Sequence, residues 1–165
     1  MDEPEKFAWA SAYQNEDMIW ISTDSGHGIC VYDPQGKETV LSPDADDNAL
    51  GVAVKEALAH SRYLPLDEAR GFLDYQRVEQ RYAERIESLM ERHGYKNKVA
   101  LFGKMKRCGI TLSKGIIEIA PTIHKELDSW ARNRSDRLED VVLDADSPAN
   151  EIGAALRMGF SRCVA

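Results

Sequence analysis

Long apolar runs are missing from this 165-residue chain. Stretches such as 99–102 are far shorter than the about 20 residues a bilayer-spanning helix requires, so no membrane span is expected. Cysteine is scarce: Cys30, Cys108 and Cys163 are far apart and odd in number. A disulfide framework cannot use all three, and reduced thiols are the simpler state. Gly/Ser-rich and Pro-rich linkers are absent, so no domain boundary interrupts residues 1–165 and one hydrophobic core is expected. The first six residues, Met1-Asp2-Glu3-Pro4-Glu5-Lys6, are acidic and lack the apolar block of a secretory signal, which makes the cytoplasm the expected location.

Basic residues are nearly absent from the first 47 positions. Eleven acids stand there against Lys6 and Lys37, a balance of −9 within a chain whose net charge is −7. Acids are in turn absent from 92–117, which carries Arg92, Lys96, Lys98, Lys104, Lys106, Arg107 and Lys114. An acidic segment of this kind repels nucleic acid and anionic lipid and attracts a cationic protein through its long-range field. Its acids bunch at Asp33, Glu38, Asp44, Asp46 and Asp47, which are the candidate partner-binding residues.

Four β-rich segments, 7–13, 18–22, 28–32 and 38–41, are separated by turn chemistry such as Asp33-Pro34-Gln35-Gly36 and read as an antiparallel meander. Ser42-Pro43 then marks a helix start, and Leu50, Val54, Ala57 and Leu58 give that helix one apolar stripe. A second helical segment over 72–93 places Tyr75, Val78, Tyr82, Ile86 and Leu89 on one face and stops at Gly94. Strands are expected again at 99–104, 109–112 and 116–120, the last two joined by a tight turn at Ser113-Lys114-Gly115. A strand at 141–144 leads through Ser147-Pro148 into a closing helix. The order predicts an α+β fold: a mostly antiparallel sheet with helices packed against one face.

One internal echo stands out. Leu50-Gly51-Val52-Ala53-Val54 aligns with Ile152-Gly153-Ala154-Ala155-Leu156, each preceded by Ser-Pro. Small residues at these positions let a helix approach its neighbour closely, so both helices are expected to pack tightly on the sheet or on each other.

Catalytic and metal constellations are weak. His27 and Cys30 have an H-x-x-C spacing, but the donors that would complete a zinc site (Cys108, Cys163 or His124) are remote and unpaired in sequence. Asp24-Ser25-Gly26-His27 holds triad residue types, yet neighbours within one turn rarely reach triad geometry. Cys108, beside Lys106 and Arg107, carries the one hint of a reactive thiol. No catalytic residue, metal site or cofactor is assigned. Residues 92–114, with Tyr95 and Phe102 among the lysines and arginines, offer an alternative function as a small nucleic-acid-binding protein, which the sequence pI near 5.1 disfavours.

The second half also carries a set of matching positions. Gly94-Tyr95-Lys96, Leu101-Phe102, Met105-Lys106, Cys108, Ile119-Ala120-Pro121-Thr122, Trp130, Glu151-Ile152-Gly153-Ala154-Ala155-Leu156-Arg157 and Phe160-Ser161-Arg162-Cys163 resemble the immunity proteins of bacterial contact-dependent growth inhibition systems, the CdiI family. Leu50-Gly51, Ala57-Leu58 and Ser61-Arg62 fit the same pattern, which runs from about Trp20 onward. The resemblance implies a cytoplasmic α+β protein that is not an enzyme. Such a protein binds and neutralises the toxic C-terminal domain, often a nuclease, of a large exported toxin. The matched positions are mostly core, so the resemblance assigns no contact residue.

Overall fold

The computed structural model describes residues 6–165; the acidic residues 1–5 lie outside the described residues. Strands β1 (Ala8–Gln14), β2 (Ile19–Gly26), β3 (Cys30–Tyr32) and β4 (Glu38–Leu41) come first, followed by helices α1 (Asp47–Ala59), α2 (Leu66–Phe72), α3 (Tyr75–His93) and α4 (Lys98–Phe102). The chain then forms β5 (Lys106–Ser113), β6 (Ile116–Pro121), β7 (Ile123–Glu126), β8 (Ser129–Ala131), a single 3-10 turn, β9 (Val141–Asp144) and α5 (Ala149–Arg162).

The main sheet runs β3-β2-β1-β5-β6-β9 with antiparallel pairing between all neighbours. β2 is long enough to take two partners on one side: its first half pairs with β4 and its second half with β3. The meander expected for the first 41 residues holds for β1–β3 and is corrected at β4, which returns to β2 and does not pair with β3. The hairpin joining β5 to β6 turns through Lys114 (φ 51°) and Gly115 (φ 75°), the two consecutive positive φ values that match a tight turn to the twist of the strands.

Strand alternation divides the side chains between two cores. Ala10, Ala12, Ile19, Ile21, Cys108, Ile110, Ile117 and Ile119 point to one face, where α1 and α5 cover them. Trp20, on the opposite face of β2, belongs to a second core with Met18, Ile86, Leu89, Leu101, Phe102 and Met105. Here the expectation of helices on one face is corrected, because α3 and α4 cover the second face. The physical reason is local: Tyr13 and Trp20 stack at 4.6 Å on that face, and the apolar stripe of α3 is the surface that removes them from water.

The segment expected to be a strand at 99–104 is instead α4. Asn97 caps it by accepting a hydrogen bond from the Ala100 N–H at 2.9 Å, and its short turn drives Leu101 and Phe102 into the second core. The helix expected over 72–93 starts at Tyr75 as α3, because the Asp74 carboxylate caps it by accepting from the Arg77 N–H, and α2, which ends at Phe72, precedes it as a separate helix. Asp46, not Ser42-Pro43, caps α1, accepting from the Ala49 N–H at 2.8 Å. The β7–β8 hairpin had no counterpart in the sequence reading. It is held by Trp130, which donates to the Met105 carbonyl at 2.9 Å and meets Tyr13 and Phe102 edge-on.

The internal echo has a structural meaning. α1 and α5 touch through the two equivalent glycines: a β-carbon on Gly51 would lie 1.7 Å from the Ala149 carbonyl oxygen, and one on Gly153 would lie 1.8 Å from that of Asp47. Each glycine thus sits on the backbone four residues before the other, a reciprocal contact that only hydrogen side chains permit. Arg157 fastens the same crossing, donating from Nε to Asp47 at 2.9 Å and to the carbonyls of Pro43 and Ala45.

Candidate functional site

The five candidate carboxylates sit in different surroundings. Asp33 is not an outward carboxylate: its side chain is 0% exposed, and its two oxygens accept Arg62 Nε at 2.7 Å and Nη2 at 2.9 Å. It also accepts Ser25 Oγ at 2.7 Å and the Gln35 N–H at 2.9 Å. Burial alone would push its carboxyl up. The hydrogen bonds from Arg62, Ser25 and Gln35 outweigh that cost and hold it below the usual carboxylate range. Glu38 is half-buried on β4 between Arg85, at 3.1 Å, and Arg92, at 3.3 Å. Asp47 pairs with Arg157, whereas Asp44 and Asp46 are exposed in the segment that enters α1. The outward negative charge of the group is therefore concentrated at Asp44 and Asp46.

A second concave region went unread in the sequence. Between the second face and α3 lie two adjoining cavities of about 220 Å³ and about 320 Å³ that share Tyr13, Tyr82, Arg85 and Arg107. Asp24 lines the first and accepts Ser11 Oγ at 2.6 Å; burial pushes its carboxyl up against the opposing influence of Ser11, Arg107 and Arg85. Arg107 donates to the same Ser11 oxygen at 3.1 Å. Arg85 lies over the Tyr32 ring at 3.6 Å and the Trp20 ring at 4.3 Å, and also donates to Ser22 at 2.7 Å. These walls suit a group that accepts hydrogen bonds.

The alternation of β5 was the signal for Arg107. It falls on the strand face opposite Cys108 and Ile110, beneath α3, and not on a solvated basic stretch. Of the other basic residues in 92–114, Arg92 is tied to Glu38 and Lys104 to Glu16 at 3.2 Å. The stretch is not one uniform cationic surface.

The remaining candidates have local roles. His27 Nδ1 lies 2.8 Å from the Leu64 carbonyl oxygen, and Ser25 donates to Asp33, so Asp24, Ser25 and His27 form no proton relay. Cys30 lines the first cavity with its thiol pushed up to about 12 by burial. His124 stacks on Trp130, and its Nε2 lies 2.7 Å from the Leu127 carbonyl oxygen. Cys108 and Cys163 meet each other, with their sulfurs 3.6 Å apart, and neither His27 nor Cys30 joins them. Among the described residues, no group of three or more His, Cys, Asp or Glu side chains is placed to hold a metal ion.

Comparison with known proteins places this architecture. The family model described as CdiI, CDI immunity protein, matches residues 8–163. The immunity protein CdiI-YPIII of Yersinia pseudotuberculosis serotype O:3 (strain YPIII) is 39% identical over 175 residues, an alignment that spans 99% of each protein. A chain of the CdiA-CT/CdiI toxin and immunity complex from Yersinia pseudotuberculosis superposes with a TM-score of 0.87 at 39% identity, covering 96% of this chain and 98% of that one. A protein of unknown function from Neisseria meningitidis, NMB0488, superposes with a TM-score of 0.90 at 35% identity over 99% of both chains. With its two-sided antiparallel sheet and a match from β1 to the end of α5, the chain belongs to the CdiI family of CDI immunity proteins.

Proposed function

We propose that this protein binds the toxic C-terminal domain of a contact-dependent growth inhibition toxin in the cytoplasm and neutralises it by binding alone. The observation that carries this reading is the near full-length likeness, at 39% identity, to a chain of a toxin and immunity complex. The fold offers the partner a rigid two-core platform, and recognition between such partners rests on side chains that suit one toxin and reject others.

The contact surface we infer is the acidic approach to α1. Asp44 and Asp46 present full charges to solvent, with Asp47 beside them and Glu38 half-buried on β4, while Asp33 supports the β3–β4 turn from inside. A toxin with a basic substrate cleft, such as that of a nuclease, would be steered toward this surface. Changing Asp44, Asp46 and Asp47 together to Asn should lower the on-rate for the cognate toxin about 10-fold at low salt and flatten its salt dependence. Asn at position 46 keeps the helix cap, and Arg157 retains the Pro43 and Ala45 carbonyls and an amide oxygen at position 47, so the fold should persist. Stopped-flow association at two salt concentrations measures this; an unchanged on-rate removes the charge reading. Strand pairing at an edge of the sheet would then be the favoured mode.

Neutralisation by binding alone means the purified protein turns over nothing. Samples without metal and with added zinc or magnesium should be inert toward RNA, DNA and simple esters. Turnover that vanishes on changing His27 or His124 to Ala would overturn this, and tight binding of labelled RNA or DNA would favour the nucleic-acid alternative for 92–114.

A further inference from the structure

We infer that Cys108 and Cys163 form a reversible oxidation site, at which a peroxide converts the two thiols into a disulfide that ties the end of α5 to the central strand β5. Three features of the fold support the pairing. The sulfurs are 3.6 Å apart, so bond formation needs an approach of roughly 1.5 Å to the S–S length of about 2.05 Å. Cys163 caps the end of α5 with extended backbone (φ −68°, ψ 151°), and its sulfur, held at 3.4 Å from the Gly159 carbonyl and 3.3 Å from the Arg107 carbonyl, is set on the strand that carries Cys108. One turn earlier, Gly159 leaves the space in which the Cys108 sulfur sits, since a β-carbon there would come within 3.1 Å of it.

The two thiols divide the chemistry between them. Cys163 is half-buried and Cys108 fully buried, so Cys163 is the side from which a peroxide approaches the pair. The hydrogen bond shared between the two sulfurs lowers the Cys163 thiol and pushes that of Cys108 up. Cys163, the more exposed of the two and the one whose thiol is lowered, reacts first. Its sulfur attacks one peroxide oxygen, the O–O bond breaks, and the departing hydroxide takes a proton to become water, leaving Cys163 as a sulfenic acid. The Cys108 sulfur then attacks the sulfenyl sulfur; the S–S bond forms as the S–O bond breaks, and the leaving hydroxide with the Cys108 proton becomes a second water. Two thiols are oxidised by two electrons and one peroxide is reduced to two waters.

Cys30 is the internal control. It lies on β3, three strand positions from β5 and so roughly 14 Å away across the sheet, too far to join either sulfur.

The bond has a readable consequence. Beyond Cys163 the backbone continues into contact with the second hairpin, where the Val164 N–H donates to the Thr122 carbonyl at 3.1 Å and the His124 N–H donates to that of Val164 at 2.8 Å. A bond at 163 closes a long loop between β5 and the chain terminus, and the oxidised protein should melt on the order of 5–10 °C higher than the reduced one. The test treats the full-length protein with a small excess of hydrogen peroxide, blocks remaining thiols with an alkylating agent, and measures intact mass and peptide maps. The expected result is loss of two hydrogens, a crosslink between the peptides of Cys108 and Cys163, one alkylated thiol at Cys30, and recovery of three thiols after dithiothreitol. Cys108→Ser should stop at a Cys163 sulfenic acid that dimedone traps, and Cys163→Ser should form no internal bond. Oxidation confined to Cys30, crosslinks between molecules, or three thiols still free in the wild-type protein would overturn the inference, and these readouts stand even if Cys108→Ser folds poorly.

Discussion

Gly153→Leu is expected to produce one of the largest losses of stability available to a single substitution in this protein. The first added carbon would lie 1.8 Å from the Asp47 carbonyl oxygen and 2.6 Å from its carbonyl carbon, and these are backbone atoms that cannot rotate away. Ordinary overpacking costs about 1–3 kcal/mol because neighbouring side chains shift. Here the whole α1–α5 crossing must open, exposing part of the core formed by Leu50, Val54, Ile152 and Leu156, so a cost of about 4 kcal/mol or more is expected. At about 2–4 °C per kcal/mol for a chain of this size, the melting temperature should fall by on the order of 10 °C. Gly51→Leu should behave alike, since its contact on Ala149 mirrors the first. Gly109→Ala is the contrasting case: it lies in β5, a β-carbon there meets nothing within 4 Å, and the substitution should leave stability unchanged or raise it by about 0.4–1 kcal/mol. Thermal melts of the three variants decide the matter. A Gly153→Leu protein that melts with the wild type would mean that the two helices do not approach through these glycines.

Asp33→Asn should cost about 2–3 kcal/mol at neutral pH, although it removes no bulk. Breaking a fully buried ion pair costs about 3–5 kcal/mol; Arg62 is 39% exposed and can regain water, which lowers the figure. What remains is the loss of a charged acceptor facing Arg62, Ser25 Oγ and the Gln35 N–H at once. Because the folded carboxyl is held below its unfolded value of about 3.9, its contribution is fully present above that pH and is lost as the pH falls through the folded value. The difference between wild type and Asp33→Asn should therefore be constant from pH 7 to about 5 and shrink below about 4. Asp24, whose carboxyl is pushed up chiefly by burial, contributes with the opposite slope, and taking the difference between the two proteins removes that burial contribution and leaves only the smaller influence of the Asp33 charge on it. Urea unfolding at pH 7, 5 and 3 provides the measurement. A substitution as mild as Asp44→Asn, within about 0.5 kcal/mol of wild type, would place Asp33 at the surface instead.

These two predictions arise from features that local sequence reading renders unequally. Gly51 and Gly153 were visible as an echo, and the expectation of close helix packing followed from their size. That they contact each other's helices reciprocally depends on two segments about 100 residues apart meeting in one register. Asp33 looked like a turn residue and a surface charge because its partner Arg62 stands 29 residues away, beyond the reach of any local pattern. The same holds for Arg107, whose neighbours in sequence are basic while its neighbours in space are Ser11, Tyr13 and Asp24.

Signals that act within a few residues were already decisive in the sequence. The strands at 38–41 and 141–144, the turn through Lys114 and Gly115, the halt of α3 at Gly94 (φ 73°) and the stripe Val78, Tyr82, Ile86, Leu89, without Tyr75, which the first turn of α3 leaves exposed, need only φ preferences and the 2.0 and 3.6 residue periods. Tertiary structure alone decided that α3 and α4 cover the second face, that 98–102 coils into a helix despite its β-rich residues, that Trp130 pins a hairpin with no apolar stripe of its own, and that Cys108 meets Cys163. The physical reason is that burial is a property of a pair of surfaces. A residue's own propensity amounts to about a few tenths of a kcal/mol, while removing Phe102 from water contributes about 2 kcal/mol, so the partner surface outweighs the local preference where the two disagree.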